Sequence, residues 1–298
     1  MALLTIYTPA YNRGNLLKNV YNSLICQSCR DFLWMIIDDG STDDTENIVS
    51  DFISEGKIPI KYIKKENGGK HTATNLALSE ADTELIMLAL DSDDTLKPDA
   101  VETILKKYRE ADGKYSGYVF MKEDTSGKLM ISHMNPELKI KSWREATAEG
   151  DFDGEALLVL KTEYAKKFSY PVIPGEKFFT EAYVYLRMTE PFLWCRESVY
   201  VAEYLGDGYT KNIINSFVKN PVSYSMYNDL RLGIYSSFPK RFKYAAYYVA
   251  FSLLGGKKKI LRSSSAPLLC FAAFPFGAAF SVALKIAWHF KQRKTKQN

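Results

Sequence analysis

Residues 84–97 read ELIMLALDSDDTLK, and this stretch decides the fold. Residues 85–90 form an uninterrupted apolar run with polar residues on both sides. A run this short is typical of a strand that is buried on both faces of a parallel sheet. The carboxylates of Asp91, Asp93 and Asp94 follow within four residues, and because like charges repel, this arrangement needs a compensating partner.

Three interpretations of these carboxylates compete. They can cap the start of a helix over residues 98–109, which accounts for one or two of them. A calcium loop of the EF-hand type would need a mid-loop glycine and a distal glutamate, and both are missing. A divalent cation at the carboxyl end of the strand would offset the repulsion and bind a substrate diphosphate. Ligands of open α/β sheets bind at that end of the strands.

Composition narrows the class of protein. The chain has 298 residues, 46% of them hydrophobic, which is enough for one domain with a real core and an appendage. A net charge of +4 is too small to indicate that the whole chain binds nucleic acid. Cys26 and Cys29 have neither a second cysteine pair nor a nearby histidine, so they do not indicate zinc, and unpatterned cysteines suit a reducing compartment. The first residues read as a strand and not as a signal peptide.

Three more apolar runs end in polar clusters. Residues 3–8 lead into TPAYNR at 8–13, residues 32–37 into DDGSTD at 38–43, and residues 59–63 into ENGGKH at 66–71. Strand and helix patterns alternate over residues 3–110, which predicts an α/β fold with a mainly parallel central sheet and flanking helices. We therefore expect all four polar clusters at the same edge of the sheet.

Each cluster also has an ordinary interpretation. Tyr11 and Arg13 are loop residues, or an aromatic stacker and a cation at a nucleotide site. Asp38 and Asp39 exceed what capping needs, and one of them could accept the imide N–H of a uracil ring. The glycines before Lys70 open a helix and suit an anion, but the spacing fits neither a Walker loop nor GxGxxG.

Taken in order, the four motifs resemble the family 2 nucleotide-sugar glycosyltransferases of the bacterial cell-surface polysaccharide type, which have the glycosyltransferase A-type fold. The matching residues are TPAYNR at 8–13, DDGSTD at 38–43, ENGGKHTATN at 66–75 and DSDD at 91–94. The resemblance is close over about the first 110 residues. It continues weakly through GEKFFTEA at 175–182 and YLGDGYTKN at 204–212.

The resemblance implies a role for each matching residue. The residues that would line a nucleotide pocket are Thr8, Pro9, Tyr11 and Arg13. Asp39, or alternatively Asp38, would bind the edge of the uracil ring. Lys70 and Asn75 would lie near the ribose and diphosphate, and Asp91 and Ser92 would contact the nucleotide. Asp93 would ligate Mg²⁺ or Mn²⁺ on the diphosphate. Glu181 would be the general base, with Glu176 as a second candidate. The sequence FFTE at 178–181 departs from the Glu-Asp pair of many relatives.

The expected chemistry needs few groups. Transfer of a sugar from a nucleoside diphosphate requires a cation for the leaving diphosphate and one base for the acceptor hydroxyl. The resemblance to the family implies an inverting single displacement, from a UDP-sugar to a glycan or lipid-linked acceptor. The competing functions are a metal-dependent nucleotidyl- or phosphotransferase and a non-catalytic sugar-nucleotide-binding module of a membrane assembly complex.

The predicted transferase domain comprises residues 1–212, of which 1–127 bind the nucleotide-sugar and 128–212 form the acceptor and catalytic region. Residues 213–298 are predicted to form a helical region rich in aromatic and basic residues. Residues 263–284 carry no charge. They can form core helices, a membrane span or an interfacial anchor. Because Pro275 and Gly277 interrupt the run, we expect two short helices on the membrane surface. The enzyme would then be cytoplasmic, and peripheral on the inner face of the cell membrane.

Overall fold

The computed structural model describes residues 2–203 and 212–295, which fall into two compact units. The first comprises Met1–Tyr170 with Arg187–Leu205, and the second comprises Pro171–Leu186 with Gly206–Asn298. The segment that carries Glu181 thus groups with the C-terminal helices and not with the sheet. Residues 204–211, which hold most of the last motif and the turn expected at Asp207, lie outside the described residues.

The first unit contains all the described strands and six helices. The strands are β1 (Leu4–Ala10), β2 (Phe32–Asp38), β3 (Ile60–Lys64), β4 (Leu85–Met87), β5 (Thr95–Leu96), β6 (Gly117–Asp124), β7 (Ile131–Met134), β8 (Ile140–Lys141), β9 (Phe152–Gly154), β10 (Ala156–Lys161) and β11 (Phe192–Ala202). The helices are α1 (Gly14–Ile25), α2 (Thr45–Glu55), α3 (Lys70–Glu80), α4 (Ala100–Glu110), α5 (Trp143–Glu149) and α6 (Thr162–Ala165).

The main sheet has the strand order β3-β2-β1-β4-β10-β6-β11-β5, and β8 also pairs with β11. Strands β3, β2, β1 and β4 are parallel, whereas β10 runs antiparallel to both of its neighbours. Strands β7 and β9 form a separate pair. The α/β prediction with flanking helices is confirmed, with a sheet that is parallel in its first half and mixed in its second.

The register of the parallel strands places the motif loops side by side. Ala10 at the end of β1 pairs with Asp38 at the end of β2, and Asp38 pairs with Lys64 at the end of β3. Beneath these ends, the stacked rings of Tyr21 and Phe52, whose centroids are 4.1 Å apart, pack α1 and α2 together on the sheet. Because the three strands stop at the same level, the loops after them must meet.

The apolar run at 85–90 is not all strand, and this corrects the sequence prediction. Strand β4 ends at Met87, and Ala89 has a φ of 60°. The Leu88 N–H then donates to the Leu158 carbonyl at 2.9 Å, whereas the Leu90 N–H donates to the Tyr7 carbonyl at 2.8 Å. The chain therefore bends before the DSDD motif, because its backbone bonds turn from one neighbouring strand to the other.

The second unit is helical, and its described helices are α7 (Glu181–Tyr185), α8 (Ile213–Lys219), α9 (Pro221–Ile234), α10 (Phe238–Leu254) and α11 (Pro267–Thr295). The expected break in the apolar segment is wrong, since α11 continues through Pro275 and Gly277. Gly277 packs closely on α10, where a Cβ atom would lie 2.6 Å from the Ala246 carbonyl oxygen. Tertiary packing thus outweighs the weak helix propensity of these residues. Among the described residues, α11 alone is long and apolar enough to cross a membrane.

Candidate active site

The first two motif loops are joined through Asn12. Its side-chain Oδ1 accepts the Thr42 N–H at 2.8 Å, and its own N–H donates to the Ser41 Oγ at 2.8 Å. Asn12 has a φ of 53°, in the left-handed region that asparagine tolerates better than most residues. The TPAYNR and DDGSTD loops are thereby fixed to each other.

Asp39 joins the second loop to the third. Its Oδ1 accepts the Lys65 ammonium at 2.6 Å and the Gly68 N–H at 2.9 Å, and its Oδ2 accepts the Gly69 N–H at 2.7 Å and the Asn67 amide at 3.2 Å. An ionised carboxylate has about four lone-pair sites, so these donors fill them. Asp39 therefore organises the glycine loop, and a uracil N–H would have to replace one donor. The Asn67 amide, at the longest distance, is the most easily displaced.

Lys70 joins the third loop to the fourth. Its ammonium group lies 2.6 Å from the Asp91 carboxylate, and both side chains are about one-third exposed. Burial alone would raise the pKa of Asp91, but the positive charges of Lys70 and Lys122 outweigh it and hold that pKa below its usual value. The negative charge of Asp91 is therefore balanced by Lys70, whose ammonium group is exposed enough to contact a phosphate.

The negative charge of Asp93 is only partly compensated by its surroundings. Burial and the neighbouring charge of Asp91 raise its pKa above the usual value, and the positive charges of Arg13 and Lys70 offset this only in part. Since Arg13 belongs to the first loop and Asp93 to the fourth, the four loops form one continuous site. A negative charge in this position would be relieved by a bound cation.

The residues present fit a divalent ion that is bound together with a diphosphate. Residues 2–203 and 212–295 contain no group of three or more side chains able to hold a metal by themselves. Asp91 is paired with Lys70, which leaves Asp93 as the carboxylate for an ion. Mg²⁺ in nucleotide sites is usually held by one or two carboxylates, with substrate phosphates and water as the other ligands. The prediction of Asp93 as the metal ligand is compatible with this geometry and stays a prediction.

Tyr200 is hydrogen-bonded to the DSDD motif, and the sequence did not predict this contact. Its hydroxyl accepts the Asp91 N–H at 3.1 Å and donates to the Asp94 Oδ2 at 2.5 Å. The other oxygen of Asp94 accepts the Glu203 N–H at 2.8 Å. Burial raises the pKa of Asp94 to about 6, although both hydrogen bonds favour its ionised form. Nothing in the sequence marks a tyrosine more than 100 residues away as the partner of this loop.

Replacing Tyr200 by phenylalanine should therefore loosen the DSDD motif. The buried Asp94 Oδ2 and the Asp91 N–H would both lose their partner, and we expect a loss of about 1–3 kcal/mol in the free energy of unfolding. The metal concentration for half-maximal activity should rise as well. Urea unfolding and a Mn²⁺ titration measure these effects. Tyr118→Phe is the matched control, because this equally buried sheet tyrosine has Tyr108 and Tyr115 as its ring neighbours and not the DSDD motif. Equal behaviour of the two variants would contradict the supporting role.

Three residues of the predicted nucleotide pocket make hydrogen bonds inside the fold. The buried Thr8 Oγ1 accepts the Trp34 indole N–H at 3.0 Å. Asp38 is fully buried, and its oxygens accept the Ser41 N–H at 2.7 Å and the Tyr62 hydroxyl. The Asn75 amide makes reciprocal bonds of 2.8 and 2.9 Å with the backbone of Tyr170. Because their polar atoms already have partners inside the fold, a donor would have to compete with these bonds, and the roles of the three residues in donor binding stay predictions.

The other predicted pocket residues differ in exposure. Tyr11 is 49% exposed at the tip of its loop, which leaves a face of its ring open for stacking. Pro9 and Arg13 are half-buried, and Ser92 is only 7% exposed between two aspartates. Tyr11 and Arg13 are thus the first-loop residues best placed to touch a ligand.

The two glutamates considered as the base occupy different settings in the second unit. Glu181 is half-buried at the first residue of α7. Glu176 is buried, and its carboxylate accepts the Val222 N–H at 2.7 Å and both the N–H and hydroxyl of Ser223. It therefore satisfies the free N–H groups at the start of α9. This structural role argues against Glu176 as a base, whereas Glu181 remains a prediction.

Comparison with known proteins supports the resemblance. The family model described as Glycosyl transferase family 2 matches residues 5–160, just over half of the chain. A chondroitin synthase of Pasteurella multocida is 40% identical over 107 residues, which is 36% of this chain and 11% of that protein. The chain thus spans only a small part of the length of such curated relatives.

Solved structures share the fold over almost the whole chain. TarS of S. aureus in complex with UDP has a TM-score of 0.58 at 15% identity, covering 98% of this chain and 92% of that one. A mannosyltransferase of Pyrobaculum calidifontis in complex with GDP-Man and Mn²⁺ has a TM-score of 0.54 at 17% identity, covering 96% and 75%. These similarities confirm the expected glycosyltransferase A-type fold. With a family model that matches more than half of its residues, the chain belongs to glycosyl transferase family 2.

Proposed function

We propose that this protein transfers a sugar from a UDP-sugar to a hydroxyl group of a glycan or lipid-linked acceptor during cell-surface polysaccharide synthesis. The observation that carries the proposal is the continuous site made by the four loops, in which Asp93 is an under-compensated carboxylate beside the cations Arg13 and Lys70. Family membership, the UDP complex of TarS and the chondroitin synthase similarity support the same reading.

On the donor side, each remaining residue would have one task. Tyr11 would stack on the uracil ring, and Asp39 would accept its imide N–H in place of the Asn67 amide. Lys70 would turn from Asp91 towards the diphosphate, while Arg13 adds positive charge nearby. Asp93 would hold Mg²⁺ or Mn²⁺, which supplies charge stabilisation for the leaving diphosphate. The Mn²⁺ complex of the mannosyltransferase is consistent with a divalent ion.

On the acceptor side, Glu181 would remove the proton from the acceptor hydroxyl. The hydroxyl oxygen then forms a bond to the anomeric carbon as the bond from that carbon to the UDP oxygen breaks. One displacement of this kind inverts the configuration, as in hydrolases whose single base activates a water. Nucleotide sugars are cytosolic, so the reaction would take place on the cytoplasmic side, with the protein peripheral on the inner face of the cell membrane.

Binding and turnover test the proposal separately. Calorimetric titration with UDP should show binding that is tighter with Mn²⁺ than with a chelator. A screen of UDP-sugars should then find at least one donor that is slowly hydrolysed without acceptor. Binding without turnover of any sugar nucleotide would favour a non-catalytic module, and release of pyrophosphate or phosphate would indicate a nucleotidyl- or phosphotransferase.

A further inference from the structure

Helix α11 packs along one face on the other helices of the second unit. The inner face consists of Cys270, Ala273, Gly277, Ser281 and Leu284, which recur at helical spacing and are all buried. The Cβ atom that Gly277 lacks would lie 2.6 Å from the Val249 Cβ on α10. The contact between α10 and α11 is therefore close. Phe274 and Phe280 pack beside this face, and the ring of Phe276 reaches its edge, 5.5 Å from the ring of Phe242 on α10.

The outer face of α11 is apolar and exposed. Its large side chains are Leu268 (86% exposed), Phe271 (68%), Phe276 (62%), Val282 (56%), Ile286 (51%) and Phe290 (63%). Up to Val282 the exposed positions between them are alanines and Pro275, whereas Lys285 and His289 are exposed further along the helix. Residues 267–284 contain no charge. A face of exposed large apolar side chains is the reverse of what a helix presents to water. The stripe extends for about 33 Å, so it is a contiguous apolar surface that needs a partner.

The charge around this stripe is mostly positive, although the Asp229 carboxylate accepts the Ser265 N–H just before α11. Residues 230–298 contain 13 lysines and arginines and not one aspartate or glutamate. Since the whole chain has 39 basic and 35 acidic residues, residues 1–229 keep 26 basic against 35 acidic, a net charge of −9. Exposed bases such as Lys258, Arg262 and Lys285 lie before the helix and beside its outer face. A partner for this region must therefore offer both an apolar surface for the side chains and negative charges for the surrounding bases.

We propose that the outer face of α11, from Leu268 to Phe290, lies in the interface of an anionic lipid bilayer with the helix along the membrane plane. Apolar side chains would enter the boundary between headgroups and acyl chains, and the surrounding bases would contact anionic headgroups. This names the surface and the lipid chemistry behind the peripheral location proposed above.

Two other partners fit the observations less well. A spanning α11 would carry α10, which packs on it, into the hydrocarbon together with Lys240, Arg241 and Lys243. A second copy of the chain would place the same acid-free, basic region against itself across a symmetric interface. The repulsion between like charges disfavours that dimer, whereas an anionic bilayer is attracted.

Vesicle co-sedimentation of the full chain tests the surface. We expect binding to phosphatidylcholine vesicles that contain one-third phosphatidylglycerol and little binding to phosphatidylcholine alone. Phe271→Ser/Phe276→Ser should weaken binding about tenfold or more per ring, because each loses an apolar side chain from the interface. Lys258→Ser/Lys259→Ser/Arg262→Ser should weaken binding to the anionic vesicles by about fivefold per charge, and should reduce its salt dependence.

The matched control is Ile53→Ser/Ile140→Ser, which removes two exposed apolar side chains of the first unit and should leave vesicle binding unchanged. Thermal unfolding of every variant checks that the fold is kept. The proposal would be overturned in favour of a second copy by two results together. The wild-type protein would bind neither kind of vesicle, and it would form a dimer that dissociates when the two phenylalanines are replaced. Retention of bound protein after alkaline carbonate would overturn it in favour of a span. Vesicle binding needs neither donor nor acceptor, so its failure is distinguishable from a failure of the transferase proposal.

Discussion

Asp93→Ala is expected to abolish metal-stimulated sugar transfer while the fold stays intact. The charge stabilisation that a metal gives to a leaving diphosphate amounts to several kcal/mol, so we expect a loss of about 10³-fold in turnover. Stability should be unchanged or slightly higher, because burial and the charge of Asp91 already disfavour the ionised Asp93. Initial rates over a Mn²⁺ titration and thermal unfolding measure the two effects.

Asp94→Ala is the matched control for this change, since it removes a neighbouring carboxylate that is bonded to Tyr200 and to the Glu203 backbone. This variant should lose stability, which Asp93→Ala should not. Near-normal turnover of Asp93→Ala in the presence of chelator would show that the metal role is wrong. A fall in stability as large as that of Asp94→Ala would instead show that Asp93 is a structural residue.

Glu181→Gln is expected to lower the catalytic rate by about 10²-fold or more, because assistance by a general base is typically worth that much. The amide has the shape of the carboxylate but cannot take a proton from the acceptor hydroxyl. UDP affinity should stay the same, since the proposed donor site is built by residues of the first unit. Single-turnover rates with a donor and its acceptor, together with UDP titration, separate the two quantities.

Glu176→Gln serves as the comparison five residues earlier. The carboxylate of Glu176 accepts three hydrogen bonds at the start of α9, and an amide can accept fewer of them. We therefore expect a lower unfolding temperature with the catalytic rate kept at temperatures where the variant is folded. The opposite result, with the rate lost in Glu176→Gln and kept in Glu181→Gln, would move the base to Glu176.

That the polar loops meet could be predicted from the amino-acid pattern. Short apolar runs alternating with amphipathic helices specify a parallel α/β half-sheet, and loops after parallel strands share one edge. The bonds of Asp39 to the glycine loop and the pair of Lys70 with Asp91 agree with this meeting of the loops, but the sequence does not predict these partners. The uncharged stretch at 263–284 likewise indicated an unusual C-terminal surface from composition alone.

Which polar residues of these loops already have partners inside the fold depends on long-range packing. Asp38 and Asp39 are adjacent residues of the same type. Asp38 accepts a hydrogen bond from the Tyr62 hydroxyl, whereas Asp39 accepts hydrogen bonds from the glycine loop. Tyr200 reaches the DSDD motif from another strand, and no local pattern encodes such a distant contact. Helix α11 stays continuous because close packing of Gly277 on α10 outweighs its helix propensity, and that packing also determines which face of α11 remains exposed.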